Sequence, residues 1–252
     1  LAACSQQDLD QEEQGMVSLK VLASPGTKAG EGGTATATLP AKETNIFDLS
    51  IFIFNSNGDV IGFTSKDFPN GEPTAVDVKT RKAKGCSVYA VANAKTLNNG
   101  KSPFDGVSIL SVFKTKYLSF ADAKALDNAS CLLMMGVSSN FDTSSASSAT
   151  ITLKRLASRI DYTIAVNNDQ TTGFPIVVDS YQLRNVPIST LFLQSDFTNN
   201  PSMPSSTTFA DFDKVSTPIP SVAAPTSAGT YYVYANTDTS NETYLDIQAH
   251  SE

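Results

Sequence analysis

The feature that most constrains this chain is the grouping of its apolar residues. They fall in short, β-branched runs, each closed by Asn, Gly, Pro or Ser, which is the punctuation of strands and turns. The longest run, Ile46-Phe47-Asp48-Leu49-Ser50-Ile51-Phe52-Ile53-Phe54, is so nearly continuous in apolar character that it predicts a strand buried on both faces. The turn Asn55-Ser56-Asn57-Gly58-Asp59 ends it, and Val60-Ile61-Gly62-Phe63 returns as its hairpin partner. Residues 76–79 and 87–93 add two strands. Residues 150–166 alternate for a long stretch, with a phase slip near Leu156, and predict the opening strand of a second β unit. Further strands are expected over 175–178, 180–183, 231–234 and 243–247. Helical spacing is brief: Ser102-Pro103 can start a turn before Val107, Leu110 and Val112-Phe113, and Ser119 can cap residues 120–126. The expected fold class is mostly β with a few short helices.

Composition then removes most chemistry. The chain has 252 residues, a net charge of −7, one His and no Trp. His250 is the lone imidazole, so a Ser-His-Asp triad, a Cys-His pair and a His-ligated zinc are all disfavoured. Net negative charge argues against a nucleic-acid partner, which calls for a basic stripe. Asp142, Asp161, Asp169 and Asp179 are scattered, without the close spacing of a calcium loop, and read as turn or solvated-face residues. Gly26, Gly30, Gly32 and Gly33 do not lead from a strand into a helix as a phosphate loop requires. No catalytic residue, metal or cofactor is expected, and no enzymatic activity.

The N-terminal segment carries the most specific local signal. Leu1-Ala2-Ala3-Cys4 resembles the end of a bacterial lipobox, with Cys4 as the lipidated residue. A polar, acidic stretch follows, Ser5-Gln6-Gln7-Asp8-Leu9-Asp10-Gln11-Glu12-Glu13-Gln14, too poor in apolar residues to fold and suited to a solvated tether. No apolar run approaches the ~18 residues of a membrane span, so attachment is expected through lipid alone. Cys86 and Cys131 sit in apolar strings and are expected as two separate buried thiols. Val17, Leu19, Val21 and Ala23 share one face of a period-2 strand. The Gly-rich stretch after it, residues 24–33, is expected to be an exposed loop, where proteases cut. These signals divide the chain into a lipobox remnant and tether (1–15), an N-terminal β domain (16–149) and a C-terminal β domain (150–252).

The order of motifs resembles the Bacteroidetes fimbrillins, the type V pilins. The matching pieces are the lipobox with acidic tether, Phe54-Asn55-Ser56-Asn57-Gly58, Gly85-Cys86-Ser87-Val88-Tyr89-Ala90-Val91-Ala92-Asn93 and Leu133-Met134-Met135-Gly136. Leu153-Lys154-Arg155-Leu156-Ala157-Ser158-Arg159-Ile160 and Tyr232-Val233-Tyr234-Ala235-Asn236-Thr237, with Thr243-Tyr244-Leu245 behind it, complete the set. The resemblance implies two tandem transthyretin-like Greek-key β-sandwiches and a lipoprotein precursor carried to the outer membrane surface. It further implies protease-triggered strand exchange, in which the first strand (Val17, Leu19, Val21, Ala23) is released and a strand from another fimbrial subunit replaces it. The implied partners are other fimbrial subunits, the outer membrane through the lipid, and host or bacterial surface ligands for adhesion. In the family the cut follows a basic residue, usually Arg; here the matching position is Lys28, before Ala29, and no Arg occurs before Arg81. Either a Lys-tolerant protease cuts there, or the strand is kept and the protein is a membrane-retained anchor or tip. The competing reading from another class is a sugar-binding surface lipoprotein built of β-sandwiches.

Overall fold

A computed structural model describes residues 13–23, 39–73, 75–146, 148–166, 175–193, 203–219 and 226–251. The first half is organised by one closed seven-stranded sheet. Its strands are β1 (Gln14–Ala23), β2 (Asp48–Phe54), β3 (Val60–Asp67), β4 (Val76–Arg81) and β5 (Cys86–Ala92). Past the helices α1 (Ala94–Leu97) and α2 (Leu110–Lys114), the short β6 (Tyr117–Ser119) and α3 (Lys124–Asn128), β7 (Met134–Phe141) and β8 (Ser148–Arg155) complete it. The order around the sheet is β1, β4, β3, β2, β5, β7, β8, with β8 returning to β1.

All seven residues of β2 are buried, as the apolar string predicted. Alternate side chains serve two cores. Leu49, Ile51 and Ile53 point into the closed sheet with Val17, Leu19, Val78, Val88, Ile151 and Leu153. Phe52 and Phe54 face outward, beneath the segment that carries α1 and α2, and pack with Tyr89, Phe104, Phe113 and Phe192. Phe52 and Phe113 have ring centroids 5.2 Å apart and Phe104 and Phe192 4.8 Å apart. The hairpin after β2 turns where expected: Asn55 Oδ1 accepts from the amides of Asn57 and Asp59 at 3.0 and 2.9 Å, and Gly58 takes the positive φ of +87° that the turn needs.

Asn93, between β5 and α1, is fully buried in the left-handed conformation at φ 68°. Its amide ties the start of α1 to two other backbone segments, 45–47 and the one at Leu132. Oδ1 accepts from Phe47 N at 2.8 Å, and Nδ2 donates to Asn45 O at 2.9 Å and Leu132 O at 2.7 Å. Next to it the buried Asp48 carboxylate accepts from the first amides of α1, Lys95 N at 3.0 Å and Thr96 N at 2.7 Å. Cys86 and Cys131 are separate free thiols and both are buried. Burial pushes the Cys131 thiol up to about 12, which leaves it protonated and unreactive at neutral pH.

Beyond Leu156 the chain forms β9 (Ala157–Ala165), β10 (Ile176–Arg184), β11 (Val186–Pro187), β12 (Ser189–Leu191), β13 (Phe209–Ala210), β14 (Thr226–Tyr234) and β15 (Tyr244–Ser251). Two ribbons dominate, β9 with β14 and β10 with β15, both antiparallel. Ile164, Val178, Tyr181 and Ile219 pack together between them. The short β12 pairs with β6, and Phe192 just after it enters the aromatic cluster over β2.

Two sequence expectations need correction. The boundary drawn at 149 cuts through β8, which belongs to the first sheet; residues 150–166 are two strands, parted at the phase slip at Leu156, whose amide bonds to Leu133 O at 2.9 Å. Ser119 does not cap a helix over 120–126. It lies in β6, paired with Ser189, and the five-residue α3 is capped instead by Asp122, whose Oδ1 accepts from Ala125 N at 2.8 Å.

Asn93→Ala leaves the buried Leu132 carbonyl and the part-buried Asn45 carbonyl and Phe47 amide without the partner that Asn93 supplies. At about 1–3 kcal/mol for an unsatisfied buried group, the variant is expected to lose roughly 3 kcal/mol in urea unfolding with an unchanged m-value.

Candidate functional site

The strand that the sequence singled out, β1, closes the sheet, and it does so with two different ladders. Its first part is antiparallel to β4, from Gln14 opposite Arg81 to Leu19 opposite Val76. Its second part is parallel to β8, from Ser18 opposite Ser148 to Ala23 opposite Leu153. One ten-residue strand therefore satisfies edge groups on both neighbours and stands between β4 and β8. Period-2 alternation decides which side chains go inside. Val17 and Leu19 are fully buried and Val21 nearly so, while Ala23 packs half-buried at the end of the same face. Met16 and Leu22, on the other face, are about half exposed, at 51% and 47%.

Burying the three aliphatic side chains contributes about 1.5–3 kcal/mol each. A charged contact at the strand's start adds little: Lys82 Nζ lies 2.6 Å from Glu13 Oε1, but Glu13 is largely exposed. β1 is thus held by its ladders and its buried face. Cys4, Lys28 and Ala29, the expected lipid and processing positions, lie outside the described residues, as does Asp169.

A second cluster stands immediately after the segment that follows β1. The short 3-10 turn Ala41–Glu43 presents Lys42 and Glu43 to elements of both halves. The Glu43 carboxylate is buried; Oε1 accepts from Tyr232 Oη at 2.9 Å and from Arg159 Nη1 at 3.3 Å, while Arg155 Nε donates to the Glu43 carbonyl at 2.6 Å. Lys42 Nζ donates to Leu126 O and Asp127 O, both at 2.6 Å, at the end of α3, and sits 4.3 Å over the Tyr232 ring. Asp127 closes the circuit by accepting from Tyr232 N at 2.7 Å. Burial lowers the Lys42 ammonium and raises the Asp127 carboxyl; burial and then the bond to Glu43 push the Tyr232 phenol up to about 12. Sequence reasoning missed this group, because Lys42, Glu43, Asp127 and Tyr232 lie far apart in the chain. The phase slip at Leu156, which sets Arg155 and Arg159 on successive strands, was the only available signal.

Of the remaining candidates, Asp161 borders the Glu43 cluster through Arg159, while Asp142 and Asp179 sit apart from both places. Asp142 accepts from Ser144 N at 2.8 Å in a turn, Asp161 from Arg159 Nε at 2.8 Å and Thr230 Oγ1 at 2.7 Å, and Asp179 pairs with the exposed His250 at 2.8 Å. Among the described residues no group of three or more His, Cys, Asp or Glu is placed to hold a metal ion, and no helix is long and apolar enough to cross a membrane.

The described residues form a mostly β chain whose first strand closes the sheet through long-range ladders. Residues 16–178 match the family model described as the major fimbrial subunit protein FimA, more than half of the chain, and the chain belongs to that family. Solved structures with a similar fold include a fimbrial assembly protein from Parabacteroides distasonis, at 19% identity, TM-score 0.58, covering 95% of this chain and 86% of that one. Others are the C-terminally truncated tip fimbrial protein Mfa3 of Porphyromonas gingivalis (12% identity, TM-score 0.57, 95% and 81% covered) and a fimbrilin from P. gingivalis W83 (14%, 0.54, 92% and 70%). Among curated proteins none matches the chain.

The alkaline limb of stability tests the Glu43 cluster. A phenol with an ordinary value of 10 that is raised to about 12 in the fold contributes fully below pH 10 and loses its contribution as pH climbs from 10 through 12. Tyr232→Phe is expected to flatten the fall in urea midpoint over that interval relative to wild type, while the profile from pH 6 to 9 keeps its shape.

Proposed function

We propose that this chain is a structural subunit of a bacterial surface fimbria, exported as a lipoprotein through Cys4 and assembled by exchange of β1. The observation that carries the proposal is the double ladder of β1. A strand whose removal exposes the edges of β4 and β8 together with the seats of Val17, Leu19 and Val21 leaves a site with unpaired N–H and C=O groups and apolar pockets. A strand of like alternation from another subunit satisfies both. Cutting after Lys28 separates β1 from the Ala41–Glu43 turn, so the Glu43 cluster keeps its grip on the rest of the chain while β1 leaves. In this reading the chain forms two sandwich-like units: the closed sheet through β8, and the β9, β10, β14 and β15 ribbons beyond it. The transthyretin-like, Greek-key description applies to them as tandem units. Adhesion ligands and the outer-membrane location follow from the fimbrial role and the lipid.

The test is digestion of the purified chain with a Lys-specific protease, followed by mass spectrometry and negative-stain microscopy. Fibres are expected to appear after cleavage at Lys28, and Lys28→Gln is expected to abolish them. If Lys28 is cut, the 14–23 segment stays bound and no polymer forms, the exchanging-subunit role is wrong and the role of a terminal anchor that retains its strand takes its place.

A further inference from the structure

The ladders of β8 are uneven, and this gives the closing strand a second task. Along Ser148–Leu153, β8 pairs with β1; with β7 its pairing is confined to Arg155 opposite Met134 and Lys154 opposite Met135. From there β8 rides across Gly136 on β7. A Cβ built at Gly136 would stand 2.5 Å from Ile151 Cγ2 and 2.6 Å from Thr152 O, so the crossing needs the bare glycine backbone. Each end of this stretch also has bonds to elements other than β1. Before it, Thr143 binds the segment after β4: Thr143 N donates to Ala83 O at 2.9 Å, Ala83 N donates to Thr143 Oγ1 at 2.8 Å, and that hydroxyl donates to Arg81 O at 2.8 Å. After it, Leu156 N bonds Leu133 O and Arg155 Nε bonds Glu43 O.

We propose that β8 is a strap, pinned at Thr143 and at Lys154–Leu156, which β1 holds shut and which opens over Ser148–Leu153 whenever β1 leaves. Ile151 and Leu153 lie in the same core as Val17, Leu19 and Val21, so the two strands lose their packing together. The site vacated by β1 then has one wall that moves and cannot drift away. An incoming strand that pairs with β4 finds the strap tethered alongside, ready to close on it. This refinement rests on the strand-exchange reading for its use, and the coupling of β8 to β1 stands or falls separately.

Hydrogen exchange followed by mass spectrometry on the full chain reads the coupling directly. In low denaturant, the amides of 14–23 and 148–153 are expected to open in one step with a common denaturant dependence, below the opening of β2 and β5. Leu19→Ala, which leaves a core cavity, is expected to speed exchange in both segments alike, roughly 100-fold. Gly136→Ala, which pushes the strap off β7, should speed both as well, whereas Ile164→Val in the second half should leave their relation to each other unchanged. Protection of 148–153 that persists while 14–23 exchanges freely overturns the strap. The denaturant series on the unmodified chain decides the matter if either variant fails to fold. Common exchange without fibres after cleavage at Lys28 would leave the strap and remove strand exchange. Fibres formed from a chain whose 148–153 segment opens independently of β1 would do the reverse.

Discussion

The pairing of β1 with two neighbours of opposite direction is the interaction on which the rest of the structure depends. Antiparallel to β4 and parallel to β8, it turns six strands with two bare edges into a closed sheet. Parallel neighbours need a long crossover, and here the crossover is the whole of β2 through β7. The inner core, the outer aromatic cluster and the course of β8 across Gly136 all presuppose that closure.

The second constraint is electrostatic and joins the halves. Burying Glu43 is costly unless it is paired, and the partners come from β8, β9 and β14 together, with Lys42 reaching α3 beside it. Such a group contributes less to net stability than to fixing one arrangement of the elements that meet there. Its location matters for the fimbrial role. The turn that carries it follows the loop expected to be cut, so the body of the protein is clamped just downstream of the strand proposed to leave.

Much of this was legible in the residues, and the part that was not has a common cause. Strings with period-2 or continuous apolar character revealed β2, β5 and the buried face of β1, because alternation is a local property. The turn at residues 55–59 was equally plain, since Asn and Gly there serve needs of the local backbone. What the residues could not reveal is which strand a strand will pair with. Thus residues 150–166 read as one long strand opening a new domain, whereas Leu156 parts β8, which belongs with β1, from β9, which belongs with β14. Ser119 offered a good cap in isolation, but pairing with Ser189 prevailed. Lys42, Glu43, Arg155, Arg159 and Tyr232 carry no local sign of one another, because only the fold brings them together. The motif order that resembled the fimbrillins pointed to the family matched over residues 16–178, a relation that no single segment carries.

The parallel ladder between β1 and β8 also sets an order in time. Residue 18 finds its partner at 148, so the first strand to be made is among the last of the sheet to be placed. The hairpin of β2 and β3 and the pairing of β5 with β2 can form from nearby residues, whereas closure must wait for a contact of large loop entropy. Until β8 has been synthesised, the 14–23 segment has only β4 to hold it. Late closure thus leaves the nascent chain, for a time, in the same open-edged condition that assembly is proposed to recreate.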